Sequence, residues 1–228
     1  AARFQALADQ AALGDGHLRW ADGALHFDSA LTIAPDRVLP VKNIRPETAD
    51  AAMARGGYSH VFLAAGYGIR TLAPDVPLRF SRGQLTWAQG GVEAGVEAGL
   101  DVSEPISYGG YALPMGGKIL VGATHDRLDD GDPFELREAD DARNLSGLAE
   151  VTGLTPKLAQ HPSRASVRVT TADTLPRVLD LGDNRWAVTG LGSRGFVFAP
   201  LLAEALISHI CAEPLPIARQ VFSRFKAL

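Results

Sequence analysis

The run Thr189-Gly190-Leu191-Gly192-Ser193-Arg194-Gly195-Phe196-Val197-Phe198-Ala199-Pro200 sets three glycines and one arginine between two apolar stretches. Before it comes Trp186-Ala187-Val188, and after it the strong helix former Leu201-Leu202-Ala203-Glu204-Ala205-Leu206. Strand, glycine turn and helix in that order leave free backbone N–H groups at a helix N-terminus. Such a site takes an anion or the electron-rich edge of a ring. Glycine suits it because a backbone without Cβ can approach a ligand closely and adopt positive φ. Upstream, Val167-Arg168-Val169-Thr170-Thr171-Ala172-Asp173-Thr174-Leu175-Pro176 sets one arginine among β-branched neighbours. A guanidinium held on a strand can grip a carboxylate through two N–H groups. An ion pair with Asp173 is its competing use.

Other residues carry weaker chemistry. Tyr108 and Tyr111 are spaced to close over a substrate or to pack. His125-Asp126-Arg127 tempts a catalytic reading, yet strand neighbours point to opposite faces, so His125 and Asp126 are not a preassembled pair. The six histidines show no metal-ligand spacing, and Cys211, the one cysteine, joins none of them. No metal site is expected. Neither a G-x-S-x-G elbow nor a G-x-x-x-x-G-K-[ST] phosphate loop occurs.

These residues need elements to position them. Residues 1–12 read as a helix with Phe4, Leu7 and Ala11 on one face, stopped near Gly14. Residues 17–34 read as a short hairpin or loop, with a helix starting near Pro35. The apolar run Tyr58 to Gly68 suits a strand buried on both faces in a parallel sheet. Residues 78–87 alternate as an antiparallel strand interrupted at Gly83. Residues 90–99 hold a short Gly-Val-Glu-Ala repeat and read as a loop. Residues 107–114 and 118–124 form a hairpin across Met115-Gly116-Gly117. A charged helix covers residues 133–152 and ends at Gly153, and residues 217–226 read as a solvated helix face or tail.

The 228 residues suffice for one large or two modest domains, and 46% hydrophobic with 21% charged residues is ordinary for a globular protein. A net charge of −4 gives no global basic field for nucleic acid, leaving only local patches. Cys211 excludes an internal disulfide and reads as a small buried hydrophobe. No apolar run reaches the roughly 18 residues of a membrane span, so a cytoplasmic protein without membrane contact is expected.

Five segments, in order, resemble the D-amino-acid-oxidase (DAO) group of FAD-dependent oxidoreductases. They are Val61-Phe62-Leu63-Ala64-Ala65-Gly66, Arg82-Gly83-Gln84, the hairpin Gly110-Tyr111-Ala112-Leu113-Pro114 with Leu120-Val121-Gly122-Ala123-Thr124, the Arg168 segment, and the glycine loop. The resemblance implies an α/β FAD/NAD(P)-binding domain interrupted by an α+β antiparallel-sheet substrate domain. Its implied divisions are residues 1–75 (partial FAD-binding), 76–165 (substrate-binding) and 166–228 (C-terminal FAD-binding).

It further implies FAD as cofactor, contacted by Ala65, Gly66, Gly190, Gly192, Ser193, Arg194, Gly195 and Phe196. Arg168 would anchor a substrate carboxylate, with Arg82, Gln84 and Tyr111 lining the substrate side. Leu191-Gly192-Ser193-Arg194-Gly195 and Glu213-Pro214-Leu215-Pro216 are most similar to the oxidoreductase domain of bifunctional tRNA wobble-uridine modification enzymes. That likeness implies removal of a carboxymethyl group from 5-carboxymethylaminomethyl-2-thiouridine in tRNA. Oxidation of a free amine such as glycine, sarcosine or a D-amino acid is the alternative, and a flavin-less binding domain a third. The G-x-G-x-x-G turn that takes the FAD pyrophosphate is missing, since Gly14-Asp15-Gly16 lacks a third glycine. The chain is therefore expected to be part of a longer protein.

Overall fold

The computed structural model describes residues 18–21, 24–27, 51, 54, 56–89, 102, 104–128, 130–153 and 156–226. The expected helix over 1–12, the helix start at Pro35 and the loop over 90–99 lie outside these residues. The chain divides into two units, Ala1–Asn43 and Ile44–Leu228. In the first, β1 (Leu18–Ala21) and β2 (Ala24–Phe27) pair antiparallel, a hairpin where the sequence allowed hairpin or loop.

The second unit holds two sheets. In the smaller, β3 (Val61–Leu63) runs parallel to β11 (Arg185–Thr189), which pairs antiparallel with β10 (Arg177–Asp180). A 3-10 turn, Gly66–Gly68, and the short helix α1 (Ile69–Leu72) follow β3. The expected long strand buried on both faces is instead three residues, none of them fully buried and Phe62 46% exposed, because the glycines divert the chain into that turn. Helices α3 (Gly195–Ile210) and α4 (Arg219–Lys226) pack on this sheet through Trp186, Leu202, Leu206, Phe222 and Phe225.

The larger sheet is antiparallel and centred on β4 (Arg79–Gln89). Strand β9 (Arg164–Thr170) pairs with one edge of β4; β7 (Lys118–Gly122) and β8 (Asp126–Arg127) share the other. Beyond β7 lie β6 (Tyr111–Met115) and β5 (Ile106–Ser107). The β6–β7 hairpin and its Gly116-Gly117 turn are as expected. Side chains alternate across the pleat, and the two faces differ sharply. Arg82, Gln84, Thr86, Ala88, Ala112, Ile119 and Val121 are buried beneath α2 (Glu138–Thr152), whose Asp140, Asn144 and Leu148 face them. On the other face Ser81, Leu85, Trp87, Tyr111, Leu113, Leu120 and Arg168 remain at least partly exposed.

Several boundaries differ from the sequence reading, each for a local reason. β4 runs unbroken through Gly83, because that glycine makes room for a side chain of β9 rather than for a bulge. Helix α2 begins at Glu138, not Pro133. Arg137 is extended at φ −120°, with its N–H and carbonyl both bonded to Gln84. Helix α3 begins at Gly195 and carries Pro200 inside it, so Phe198, Leu202, Ala205 and Leu206 form one inward face. The C-terminal segment is no solvated tail: Phe222 and Phe225 are 3% and 5% exposed. Cys211, expected to be buried, is exposed. The division drawn at residue 165 falls inside β9, which belongs wholly to the antiparallel sheet.

Candidate functional site

Three segments that are far apart in sequence meet at the C-terminal end of β9. The Gly192 N–H donates to the Val169 carbonyl at 2.9 Å, joining the glycine loop to the strand that carries Arg168. Gly190 and Gly192 have φ of +73° and +56°, and a Cβ on them would lie 3.0 Å from Thr171 Cγ2 and 2.9 Å from Thr170 Cγ2. Positive φ and close approach both call for glycine here. The Gly66–Gly68 turn packs against β9 as well. Tyr67 fixes that turn edge-on to Phe80, with ring centroids 5.5 Å apart.

Arg168 projects from the open sheet face across Gly83, where a Cβ would collide with its guanidinium. Its Nη1 donates to the Thr124 carbonyl at 3.0 Å. Asp173 does not pair with it. That carboxylate accepts from Arg177 at 2.9 Å, from the Leu175 N–H at 3.1 Å and from the Thr171 hydroxyl at 2.9 Å. These bonds, Arg177 foremost, hold its pKa well below the usual carboxylate range. Arg168 therefore keeps donors free for a ligand. Tyr111, on the same face, has its phenol pKa raised by burial and partly drawn back by the Arg168 charge.

Arg82 and Gln84 are a correction: neither lines this face. Both are fully buried on the opposite side. Arg82 forms an ion pair with Asp140 and donates to the Glu135 carbonyl and, at 3.0 Å, to Gln84 Oε1. Gln84 Nε2 donates to Asp141 and to the Arg137 carbonyl, each at 2.9 Å. The pair tethers the start of α2 to the sheet. The alternation of β4 carried the signal, since residues two apart share a face and Gly83 faces the other way.

The loop residues divide as well. Gly190 is buried, while Ser193, Arg194 and Phe196 are exposed, Phe196 at 53%. Arg194 donates to the Thr174 carbonyl and lies 5.1 Å from the Phe198 ring centroid. Val197 and Phe198 N–H both donate to the Arg194 carbonyl, so those of Gly195 and Phe196 are the open donors of the first turn. Around Gly66, nothing lies within 4 Å of an added Cβ, and at Gly195 the nearest atom is 4.0 Å away. Ala65 and Gly66 are exposed. Thr189 Oγ1, just before the loop, is buried without a hydrogen-bond partner. His125 and Asp126 diverge: His125 Nε2 lies 3.2 Å from Ser81 Oγ, and Asp126 pairs with Arg143. Sequence reasoning missed Thr124, whose carbonyl steadies Arg168 and whose hydroxyl accepts the Gln84 N–H at 2.9 Å; only the register reveals it.

Residues 6–208 match the family model for DAO, FAD dependent oxidoreductase. The chain belongs to the DAO family of FAD-dependent oxidoreductases.

Its cofactor is FAD. The chain is 39% identical over 220 residues to the tRNA 5-methylaminomethyl-2-thiouridine biosynthesis bifunctional protein MnmC of Caulobacter sp. (strain K31), with 86% of this chain and 35% of that protein covered. It is 41% identical over 162 residues to the protein of the same name from Caulobacter vibrioides, covering 70% of this chain and 25% of that one. The chain thus spans about a third or less of the curated relatives it matches. Among solved structures it is similar to glycine oxidase from Geobacillus kaustophilus, with a TM-score of 0.58 at 16% identity over 74% of this chain and 46% of that one. Iminodiacetate oxidase from Chelativorans sp. BNC1 gives a TM-score of 0.53 at 15% identity, over 75% and 46% of the two chains. The likeness is one of fold.

The residues at the loop fit the edge of a flavin. Two unfilled glycine positions, 66 and 195, face open space, and the start of α3 offers N–H donors where negative charge on a reduced ring would be stabilised. Among the described residues, no helix is long and apolar enough to cross a membrane.

Proposed function

We propose that this chain is the oxidoreductase part of an enzyme that removes the carboxymethyl group from 5-carboxymethylaminomethyl-2-thiouridine in tRNA, leaving the aminomethyl base. One observation carries this reading: the Gly192–Val169 hydrogen bond sets the glycine loop beside the strand bearing Arg168, whose charge no carboxylate among the described residues neutralises. A glycine-like substrate has a carboxylate two bonds from its amine nitrogen, so an arginine beside a flavin edge orients the C–H bond to be oxidised. The names of the curated relatives favour tRNA as the carrier of that amine.

Ala65, Gly66, Gly190, Gly192, Ser193, Arg194, Gly195 and Phe196 would hold the flavin side of FAD. When bound, FAD supplies the two-electron acceptor for amine oxidation. Arg168 grips the carboxylate, and Tyr111, neutral and part-buried on the same face, walls the substrate and offers a hydroxyl. The Thr124 carbonyl and Gly83 fix the direction of Arg168.

The test uses the full-length protein. Its visible spectrum should show flavin absorbance, and nucleoside mass analysis should show loss of the carboxymethyl group from tRNA. Peroxide release is measured in parallel with glycine, sarcosine and D-amino acids. Turnover confined to free amines overturns the tRNA reading, and absence of flavin after FAD is added overturns both.

A further inference from the structure

The register of the antiparallel sheet decides which charges share a face. Gly122 pairs with Leu85 and Tyr111, Leu120 with Trp87 and Leu113, and Lys118 with Gln89 and Met115. Arg168 and Arg127 both pair with Ser81, Arg164 with Leu85, and Arg79 with Thr170. All these residues lie opposite the face covered by α2. The open face therefore presents Arg79, Arg127, Arg168, Arg164 and Lys118, and no strand position on it among the described residues holds a carboxylate. Asp126, the one acidic residue in these strands, points the other way to Arg143. Asp130 and Asp132 follow Arg127 in the sequence, outside the strands. Arg79, Arg127, Arg164 and Lys118 take part in no ion pair among the described residues.

Along β4 the cations run from Arg79 to the Gln89–Lys118 pair, roughly 33 Å at about 3.3 Å per residue. Within this row, beyond Arg164, the Trp87 and His161 rings lie 4.7 Å apart at 47°. His161 is exposed and Trp87 half-exposed. A chain with a net charge of −4 that gathers unpaired cations on one sheet face has built a local positive strip.

We infer that this open face is an RNA-docking surface, extending from Arg168 along β4 to Lys118, with Trp87 and His161 as a platform for an unstacked base. Charge complementarity selects a polyanion, and exposed aromatic rings between the cations select one with bases. Leu85, Leu113 and Leu120 share this face but are each only partly exposed, whereas Arg79, Arg127 and Arg164 are exposed, so charge is what the face offers a partner. The inference rests on the tRNA reading, and it explains how an RNA strand would be led to Arg168.

The experiment measures binding of a fluorescein-labelled anticodon stem–loop RNA to the full-length protein by anisotropy, which requires no turnover. Arg164→Glu with Lys118→Glu should weaken binding at least tenfold, and should flatten the log–log salt dependence by about 1.4 for two lost phosphate contacts. His161→Ala and Trp87→Ala should each weaken it about fivefold or more, with circular dichroism verifying the fold. Arg219→Glu with Arg224→Glu, on the exposed side of α4, should leave binding intact. Equal loss from both charge-reversed pairs, no RNA binding by the unaltered protein, or equally good competition by polyglutamate each overturns the inference. A chain that binds RNA through this face yet oxidises no tRNA would overturn only the functional reading.

Discussion

Arg82 and Arg168 stand one cross-strand row apart on paired strands, with Arg82 opposite Val167 and Arg168 opposite Ser81, and they point to opposite faces of the sheet. One guanidinium is sealed under α2 against Asp140. The other lies partly exposed over Gly83, with no carboxylate among the described residues attached. The same residue type is thus locked into the structure on one face and left with open donors on the other, where we propose it binds a carboxylate.

For Arg168, replacement by alanine in the full-length enzyme should raise KM for a carboxylated substrate. The expected loss is about 2–4 kcal/mol of binding for a removed charge partner. Arg168→Lys should recover part of it, because lysine keeps the charge and loses the fork. Steady-state kinetics with carboxylated and decarboxylated amines decides the matter; an unchanged KM rejects the role.

Asp140→Ala leaves the Arg82 guanidinium buried without its carboxylate. Breaking such a pair costs about 3–5 kcal/mol. The midpoint of urea denaturation should fall accordingly, and Asp140→Asn, which keeps an acceptor, should lose less.

Gly83→Ala acts on Arg168 without replacing it. The new Cβ collides with the Arg168 guanidinium and lies 2.6 Å from the Thr124 carbonyl oxygen. The expected result is a destabilisation of about 1–3 kcal/mol from overpacking and a raised KM. Thermal melting and kinetics measured together test it; a variant with wild-type KM would show that the path of Arg168 over Gly83 is immaterial.

Stability should also depend on His209. Burial, then the charges of Lys226 and Arg219, lowers its pKa below 6.5 in the folded chain, against a smaller opposing effect of Asp180. The unfolded chain then takes up the proton first as pH falls. Stability is full above about pH 6.5, declines below it, and stops declining under the folded-state value. His209→Gln should flatten this slope in denaturation curves recorded between pH 5 and 8; an unaltered slope assigns it to another group.

Much of this protein follows from the chain alone. The glycine loop, the arginine among β-branched residues and the β6–β7 hairpin are local patterns, set by φ preference and alternation within a few residues. They sufficed to place the chain in its family and to single out Arg168. Tertiary structure decided what local pattern leaves open. Whether Arg82 or Arg168 faces a ligand depends on which side of β4 the helix α2 covers, and alternation gives two faces without saying which is buried. Gly83 reads as a break until β9 lies beside it and its missing Cβ becomes space for a guanidinium. Phe222 and Phe225 read as part of a polar tail until Leu202, Leu206 and Trp186 stand opposite them. Burial and register are properties of pairs of segments, so they arise only when the strands and helices meet.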